Sequence, residues 1–275
     1  MIVSQYLFLL QPLLAIVLVS IACGLLGPWI MINRLSFLTG GVSHASYGGV
    51  GIALFMGWWI LPTTIFFSIF MGMLFVIQSG ERSERTDNFI GVLWVLGMSI
   101  GLAILSSGNI HWQDFSAYIF GDILSVSSSL NLLILSANMM LAIFIWRYFQ
   151  QLLSVSFDPE YALTRGIHVF GMRMVLVVFI CSFVVLLMQL VGLLLVVALL
   201  TIPSLIAEIH TQKMNILMLF SGLWTLAGCL SGLTISMYFN IGTGSSIVLS
   251  LALFWFLTKL VKAVVRYKTV QVEAL

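Results

Sequence analysis

Residues 174–206 have the sequence MVLVVFICSFVVLLMQLVGLLLVVALLTIPSLI, which is about 33 residues long and contains no charged side chain. A helix needs about 20 apolar residues to cross the hydrocarbon core of a membrane, so this run is too long for one ordinary span. Gln189 near its middle, followed by Gly192, offers a turn between two shorter spans. The stretch therefore predicts membrane-crossing helices, in one long span or two shorter ones.

The composition of the whole chain agrees with this prediction. Of its 275 residues, 61% are hydrophobic and 7% are charged, and the mean hydropathy is +1.16. A soluble domain has about a quarter charged residues. In lipid, only helices or a closed barrel satisfy the backbone, and the apolar runs here are continuous rather than alternating. We predict an all-α, polytopic transmembrane bundle that forms a single domain over residues 1–275.

Eight apolar runs set the number of predicted spans. They lie near residues 6–32, 40–58, 61–77, 88–106, 130–146, 174–206, 215–239 and 242–261. Because the sixth run crosses either once or twice, the bundle is predicted to have eight or nine spans.

Lysine and arginine predict the orientation of the chain, because both concentrate in cytoplasmic loops. They occur at Arg34, Arg82, Arg85, Arg147, Arg165, Arg173, Lys213, Lys259, Lys262, Arg266 and Lys268. The intervals near 58–61, 107–129 and 239–242 contain neither residue, so we expect them to face outward. Placing both Arg173 and Lys213 inside requires two passes between them. This favours nine helices, an external N-terminus and a cytoplasmic C-terminus.

Several kinds of chemistry are excluded by motifs that the sequence lacks. There is no G-x-x-x-x-G-K-[ST] loop for ATP, no H-E-x-x-H zinc-protease motif, and no pair of intramembrane carboxylates. Cys23, Cys181 and Cys229 lie in apolar runs without C-x-x-C spacing, which is typical of buried small hydrophobes. We predict a protein that is not an enzyme, binds no cofactor and no nucleic acid, and has membrane lipid around it.

His44 is the ionisable residue that stands out within the predicted spans. At helical spacing Gly40, His44 and Gly48 share one face of their helix, so the imidazole is not covered by its own neighbours. An intramembrane histidine is a functional hypothesis by default, and a transport pathway is one interpretation. The alternative is that the glycines allow close helix packing while His44 is hydrogen-bonded across the interface.

Four stretches resemble the membrane permeases of bacterial ABC importers for zinc, manganese and iron. They are MINRLSFLTGGVSHAS at 31–46, IFGDILS at 119–125, FDPEYA at 157–162 followed by GIHV at 166–169, and VGLLLVVALLTIP at 191–203. They are similar to the family's R-x-S-[FY]-x-G-D-x-x-[SA]-H-A, F-G-D-x-L, F-D-P-E-x-A with G-[VI]-x-V, and V-G-x-L-L-V-x-A-L-L-x-I-P. They occur in the family's order across most of the chain.

The resemblance implies a fold, a function and partners. The fold would be that of a type II permease, like the vitamin B12 importer, and the function would be import of a divalent transition metal. Two copies would form one path, a separate cytoplasmic ATPase would supply the energy, and an extracytoplasmic binding protein would deliver the metal. The expected location is the bacterial cytoplasmic (inner) membrane, and the expected mechanism is alternating access.

One departure from the family pattern affects the metal. The family's Gly-Asp pair before the histidine is Thr39-Gly40 here, so the aspartate four residues before His44 is missing. The resemblance makes His44 the remaining candidate metal contact. An imidazole without a carboxylate suits zinc better than manganese, so we expect zinc first, then manganese or iron.

The segment 204–213 is predicted to be a short cytoplasmic helix that couples transport to the ATPase. Pro203 is expected to break the preceding helix, and the resembling family has its coupling helix at this place. Leu205, Ile206 and Ile209 supply apolar anchors at helical spacing. The alternative function is a stand-alone secondary carrier or channel that needs no ATPase.

Overall fold

The structure is a computed structural model that describes residues 2–78, 83–107 and 123–273. Within these ranges the chain is helical, with nine long helices, one short helix and one 3-10 turn. The helices are α1 (Ile2–Ile32), α2 (Ser36–Met56), α3 (Ile60–Gln78), α4 (Ser83–Ser107), α5 (Ser128–Phe157), α6 (Pro159–Thr164), α7 (Val169–Val191), α8 (Leu193–His210), α9 (Met214–Phe239) and α10 (Thr243–Glu273). The 3-10 turn covers Ile123–Ser125, so the second motif, which starts at residue 119, begins outside the described residues. The all-helical prediction is confirmed.

Six of the long helices in the described ranges are long and apolar enough to cross a membrane, namely α1, α3, α5, α7, α9 and α10. In α4 and α8 the apolar parts are shorter, at Asn88–Ile104 and Leu195–His210. Helix α2 is less apolar than its neighbours α1 and α3, because glycines, serines and His44 take the place of large apolar residues. The chain is thus a multi-pass membrane protein, and the count of eight or nine spans stays a prediction.

Gly192 separates α7 from α8, as the sequence suggests. Helix α7 ends at Val191 and α8 begins at Leu193, so Gly192 alone joins them. Its φ of 80° is a value that glycine adopts without a steric penalty. Gln189 remains helical. The apolar run 174–206 therefore forms two helices rather than one.

The predicted break at Pro203 is wrong. Helix α8 continues through Pro203 to His210, so residues 204–210 are its last turns rather than a separate helix. A proline inside a helix removes one backbone hydrogen bond. In a packed membrane bundle this loss is tolerated, because neighbouring helices and nearby side chains compensate for it. Pro12 and Pro28 lie inside α1 in the same way.

Two helices organise the packing. Helix α1 contacts α5, α8 and α9, while α2 contacts α3, α4, α7 and α8. Asn131 and Asn138, seven residues apart on α5, donate side-chain hydrogen bonds to α1, at Gln11 Oε1 (2.8 Å) and the Leu18 carbonyl (2.9 Å). Such interhelical bonds stabilise helix pairs where no water competes. Cys23, Cys181 and Cys229 are buried free thiols, as predicted.

Candidate functional site

The middle of α2 is buried except at two positions. From Leu38 to Gly51 every residue is buried apart from Gly40 and His44, which are both partly accessible. The two residues are four apart and therefore neighbours on one side of the helix. We call this pair the α2 notch. The only accessible side chain in this part of α2 is thus the His44 imidazole, and the residue one turn before it, Gly40, has no side chain.

Most glycines of α2 and α4 allow the two helices to pack closely. A methyl group added at Gly97 of α4 would lie 2.6 Å from Ala45 Cα, and one added at Gly51 would lie 2.8 Å from Gly101 Cα. A methyl group at Gly48 would meet the Phe67 ring at 2.7 Å. For these glycines, close helix packing is the correct interpretation.

Gly40 differs from the packing glycines because it borders open space. A methyl group added there would meet Val197 Cγ2 of α8 at 3.9 Å and nothing closer. A Cβ atom would therefore fit at this position without displacing a neighbour. Contact at the Cβ position therefore does not explain why position 40 is a glycine in this chain.

His44 is oriented by an aromatic contact rather than by a hydrogen bond. Its ring stacks on Trp94 of α4, with the centroids 4.2 Å apart and the planes inclined by 19°. Its Nδ1 is buried and has no hydrogen-bond partner. The hydrogen bond that the packing alternative expects across the interface is therefore absent at Nδ1. Trp94 is not identifiable from the sequence, because it lies on another helix and belongs to none of the four motifs.

The chain brings no complete metal site together within the described residues. No group of three or more His, Cys, Asp or Glu side chains converges there. Two histidines, His111 and His168, lie between the predicted spans. His168 accepts a hydrogen bond at Nδ1 from the Gly171 N–H (3.1 Å) and so caps the start of α7. His111 lies outside the described residues.

The F-D-P-E motif forms a helix cap. Asp158 accepts a hydrogen bond from the Tyr161 N–H (2.9 Å), with Pro159 at the first position of α6 and Glu160 in its first turn. Each of these residues is typical of a helix N-terminus. Ala162 is fully buried against Val155 and Val169. The motif therefore fixes the α5–α7 connection.

The predicted coupling residues differ in their accessibility. Leu205 is 39% exposed and Ile209 is partly exposed, so both are available to a partner. Ile206 is completely buried and Pro203 is buried as well, so neither reaches a partner in this conformation. The accessible side chains share one face of α8 with Thr201, which is also partly accessible and one turn closer to Val197.

The end of α8 is held by α10. Lys262 Nζ donates a hydrogen bond to the Ile209 carbonyl (3.2 Å). A lysine at this place satisfies a terminal carbonyl and complements the negative end of the helix dipole. Beside this contact lies a cavity of about 350 Å³ between the two helices, lined by Ile209, His210, Leu257, Thr258, Val261 and Lys262.

Comparison with curated proteins finds relatives along nearly the whole chain. An uncharacterized membrane protein of Synechocystis sp. is 37% identical over 245 residues, covering 89% of this chain and 87% of the relative. The manganese transport system membrane protein MntC of Halalkalibacterium halodurans is 26% identical, with 89% and 84% covered. The high-affinity zinc uptake system membrane protein ZnuB of Buchnera aphidicola is 27% identical, with 91% and 97% covered.

A solved structure has the same fold. A chain of PsaBC from Streptococcus pneumoniae, in complex with Fab, superimposes with a TM-score of 0.81 at 27% identity, and the match covers 91% of this chain and 90% of that one. The profile of the ABC 3 transport family matches residues 5–262. This chain therefore belongs to the ABC 3 transport family.

Proposed function

We propose that this chain is the permease subunit of an ATP-driven importer that moves a divalent transition metal ion across the bacterial cytoplasmic membrane. The observation that carries the proposal is the α2 notch, where the otherwise buried middle of α2 leaves His44 accessible. A histidine is expensive to place in a membrane and is retained there for function. Imidazole is also a common ligand of transition metals.

The metal path is formed by two copies of the chain. A tightly held transition metal needs three or four ligands, whereas the notch offers one imidazole. A second copy brings a second His44 to a shared path. This arrangement suits an ion that must be released on the other side, because few protein ligands hold it loosely.

Zinc is the first candidate for the transported ion, followed by manganese and iron. Because position 40 is a glycine rather than the family's aspartate, the His44 nitrogen has no hard oxygen ligand beside it. Such a site favours zinc over manganese. The relatives include one named for manganese transport and one named for zinc uptake, so either ion is compatible with the fold.

Energy comes from a separate cytoplasmic ATP-binding subunit that docks at the end of α8, and an extracytoplasmic binding protein delivers the metal. If each of the nine long helices crosses the membrane, the connections that contain Arg34, Arg165 and Lys213 fall on the same side as the end of α10. By the positive-inside rule this is the cytoplasmic side. The exposed Leu205 and the partly exposed Ile209 then face the compartment that contains ATP.

Metal uptake by cells that lack this chain tests the proposal. Uptake of radioactive zinc should fall when the chain is deleted and return when it is supplied again. Unlabelled zinc should compete more strongly than manganese or iron at equal concentration. Unchanged uptake of all three metals in the deletion strain would contradict the proposed function.

A further inference from the structure

The stack between His44 and Trp94 restricts how the imidazole can move. Rings whose centroids are 4.2 Å apart and whose planes differ by 19° are in face-to-face contact. Rotation of the imidazole about its Cβ–Cγ bond would break this contact. Aromatic pairs of this kind contribute free energy beyond the burial of their surfaces.

The structure provides no hydrogen bond that orients the ring through Nδ1. A histidine that ligates a metal usually donates its other N–H to a carboxylate or carbonyl, which fixes its tautomer and direction. His44 Nδ1 is buried without such a partner. Gly40, one turn earlier, has no side chain to supply one.

The position of Trp94 is set by the glycines that follow it on α4. Gly97 and Gly101 are three and seven residues further along and therefore lie on the same side of the helix. Both pack against the α2 backbone, at Ala45 and Tyr47, so the register between α2 and α4 is fixed. Trp94 is thereby held opposite His44.

We propose that Trp94 is a positioning residue for metal transport, which holds the His44 imidazole in the orientation that meets the ion. This rests on the proposed function, in which His44 contacts the transported metal. The stacked indole replaces the missing hydrogen bond as the orienting contact. Because it lies over the ring face, it leaves the in-plane lone pair of the imidazole free for a metal.

The test measures radioactive zinc uptake against zinc concentration in cells that express this chain as their only copy. The variants are Trp94→Leu, Trp94→Phe, His44→Ala and the double variant Trp94→Leu/His44→Ala. Phe89→Leu is a matched control, since Phe89 is a partly buried aromatic residue on the same helix that packs against the core. Immunoblotting normalises each rate to the amount of chain in the membrane.

We expect Trp94→Leu to raise the zinc concentration at half-maximal uptake about three- to tenfold, as loss of an aromatic stack predicts. Trp94→Phe, which keeps an aromatic face, should stay within about twofold of wild type. The double variant should transport no worse than His44→Ala alone, since coupled residues are not additive. Phe89→Leu should resemble wild type.

The outcomes separate this inference from the proposed function. If His44→Ala transports like wild type, His44 does not contact the ion and the positioning role of Trp94 is wrong, whereas the proposed function is contradicted by unchanged uptake in the strain that lacks the chain. If His44→Ala is impaired but Trp94→Leu is not, or if the two losses add in the double variant, the positioning role alone is wrong. Equal losses for Trp94→Leu and Trp94→Phe would also overturn it. If the leucine variant does not accumulate, Trp94→Met provides the same comparison between an aromatic and a non-aromatic side chain.

Discussion

His44 and Gly40 occupy the two accessible positions in the buried middle of α2, and they differ in what a substitution there would test. His44 has a side chain that can bind a metal, and its replacement removes the proposed ligand. Gly40 has room for a Cβ atom, and its replacement by the aspartate that the family resemblance leads one to expect adds a potential ligand. The two substitutions therefore test the same proposed site, one by removing a potential ligand and the other by adding one.

Replacing His44 by alanine should lower metal uptake by at least about tenfold, because loss of a group that holds or orients a metal typically costs this much. Association with the ATPase should be unchanged, since the notch lies several turns from the end of α8. Uptake and co-purification are the two measurements. His168→Ala is the control, as His168 caps α7 at the surface. Normal uptake by a fully assembled His44→Ala protein would remove His44 from the path.

Replacing Gly40 by aspartate should shift preference toward manganese, because a carboxylate one turn from His44 supplies a hard oxygen ligand. A Cβ atom added at Gly40 has no neighbour closer than Val197 Cγ2 at 3.9 Å. The measurement is the ratio of zinc to manganese uptake in competition. Gly40→Asn has nearly the same size without the charge and serves as the control. An equal shift in both variants, or none in either, would mean that the carboxylate does not act as a ligand.

At the scale of elements, the packing of α2 against α4 depends on some glycines of α4 but not on others. Gly97→Ala would place a methyl group 2.6 Å from Ala45 Cα, and overpacking of this kind costs about 1–3 kcal/mol. Gly91 on the same helix has nothing within 4 Å of an added methyl group. We expect Gly97→Ala to lower the thermal midpoint of the detergent-solubilised chain and Gly91→Ala to leave it unchanged or raised. Equal midpoints for the two variants would contradict the packing described for α4.

The last turns of α8 give the second prediction at this scale. Replacing Leu205 and Ile209 together by alanine should uncouple ATP hydrolysis from transport or release the ATPase, because exposed apolar anchors carry much of an interface's energy. The measurements are ATP hydrolysis per metal ion transported and retention of the ATPase on purification. Glu208→Gln should do less.

The burial of Ile206 requires a control of a different kind. Ile206→Ala should destabilise the chain by about 2–5 kcal/mol, since it leaves a cavity in the core.

Cysteines at 205 or 209 should crosslink to the ATPase surface. If neither does while a cysteine within 82–86 does, the coupling element is elsewhere.

The elements show where prediction from sequence succeeds. The Gly192 turn follows from local facts, namely a run too long for one span and a glycine near its middle. The Pro203 break follows from a rule for isolated helices, and it fails because α8 is enclosed by α1, α9 and α10. His44 is predictable as an ionisable residue among small neighbours. Its contact with Trp94 is not, since it joins residues 50 positions apart on different helices.

For the whole molecule, purification distinguishes an importer subunit from a stand-alone carrier. The affinity-tagged chain should retain an untagged second copy and an ATP-binding subunit, because neither the notch nor α8 completes its function alone. Flux in reconstituted vesicles should then require ATP inside the compartment that contains the ATPase. A lone chain that transports metal down an ion gradient would establish the carrier instead.

The single-residue turn at Gly192 is the point about which α8 would pivot if the helix tilts. With a rise of about 1.5 Å per residue along the helix, Val197 lies about 8 Å from Gly192 and Ile209 lies about 25 Å from it. A tilt that moves the Ile209 end by about 3 Å therefore moves Val197, beside Gly40, by about 1 Å. If a partner tilts α8 about Gly192, a large displacement at the Ile209 end therefore becomes a small one at the α2 notch. A shift of this size can change ligand contacts without opening the packed core.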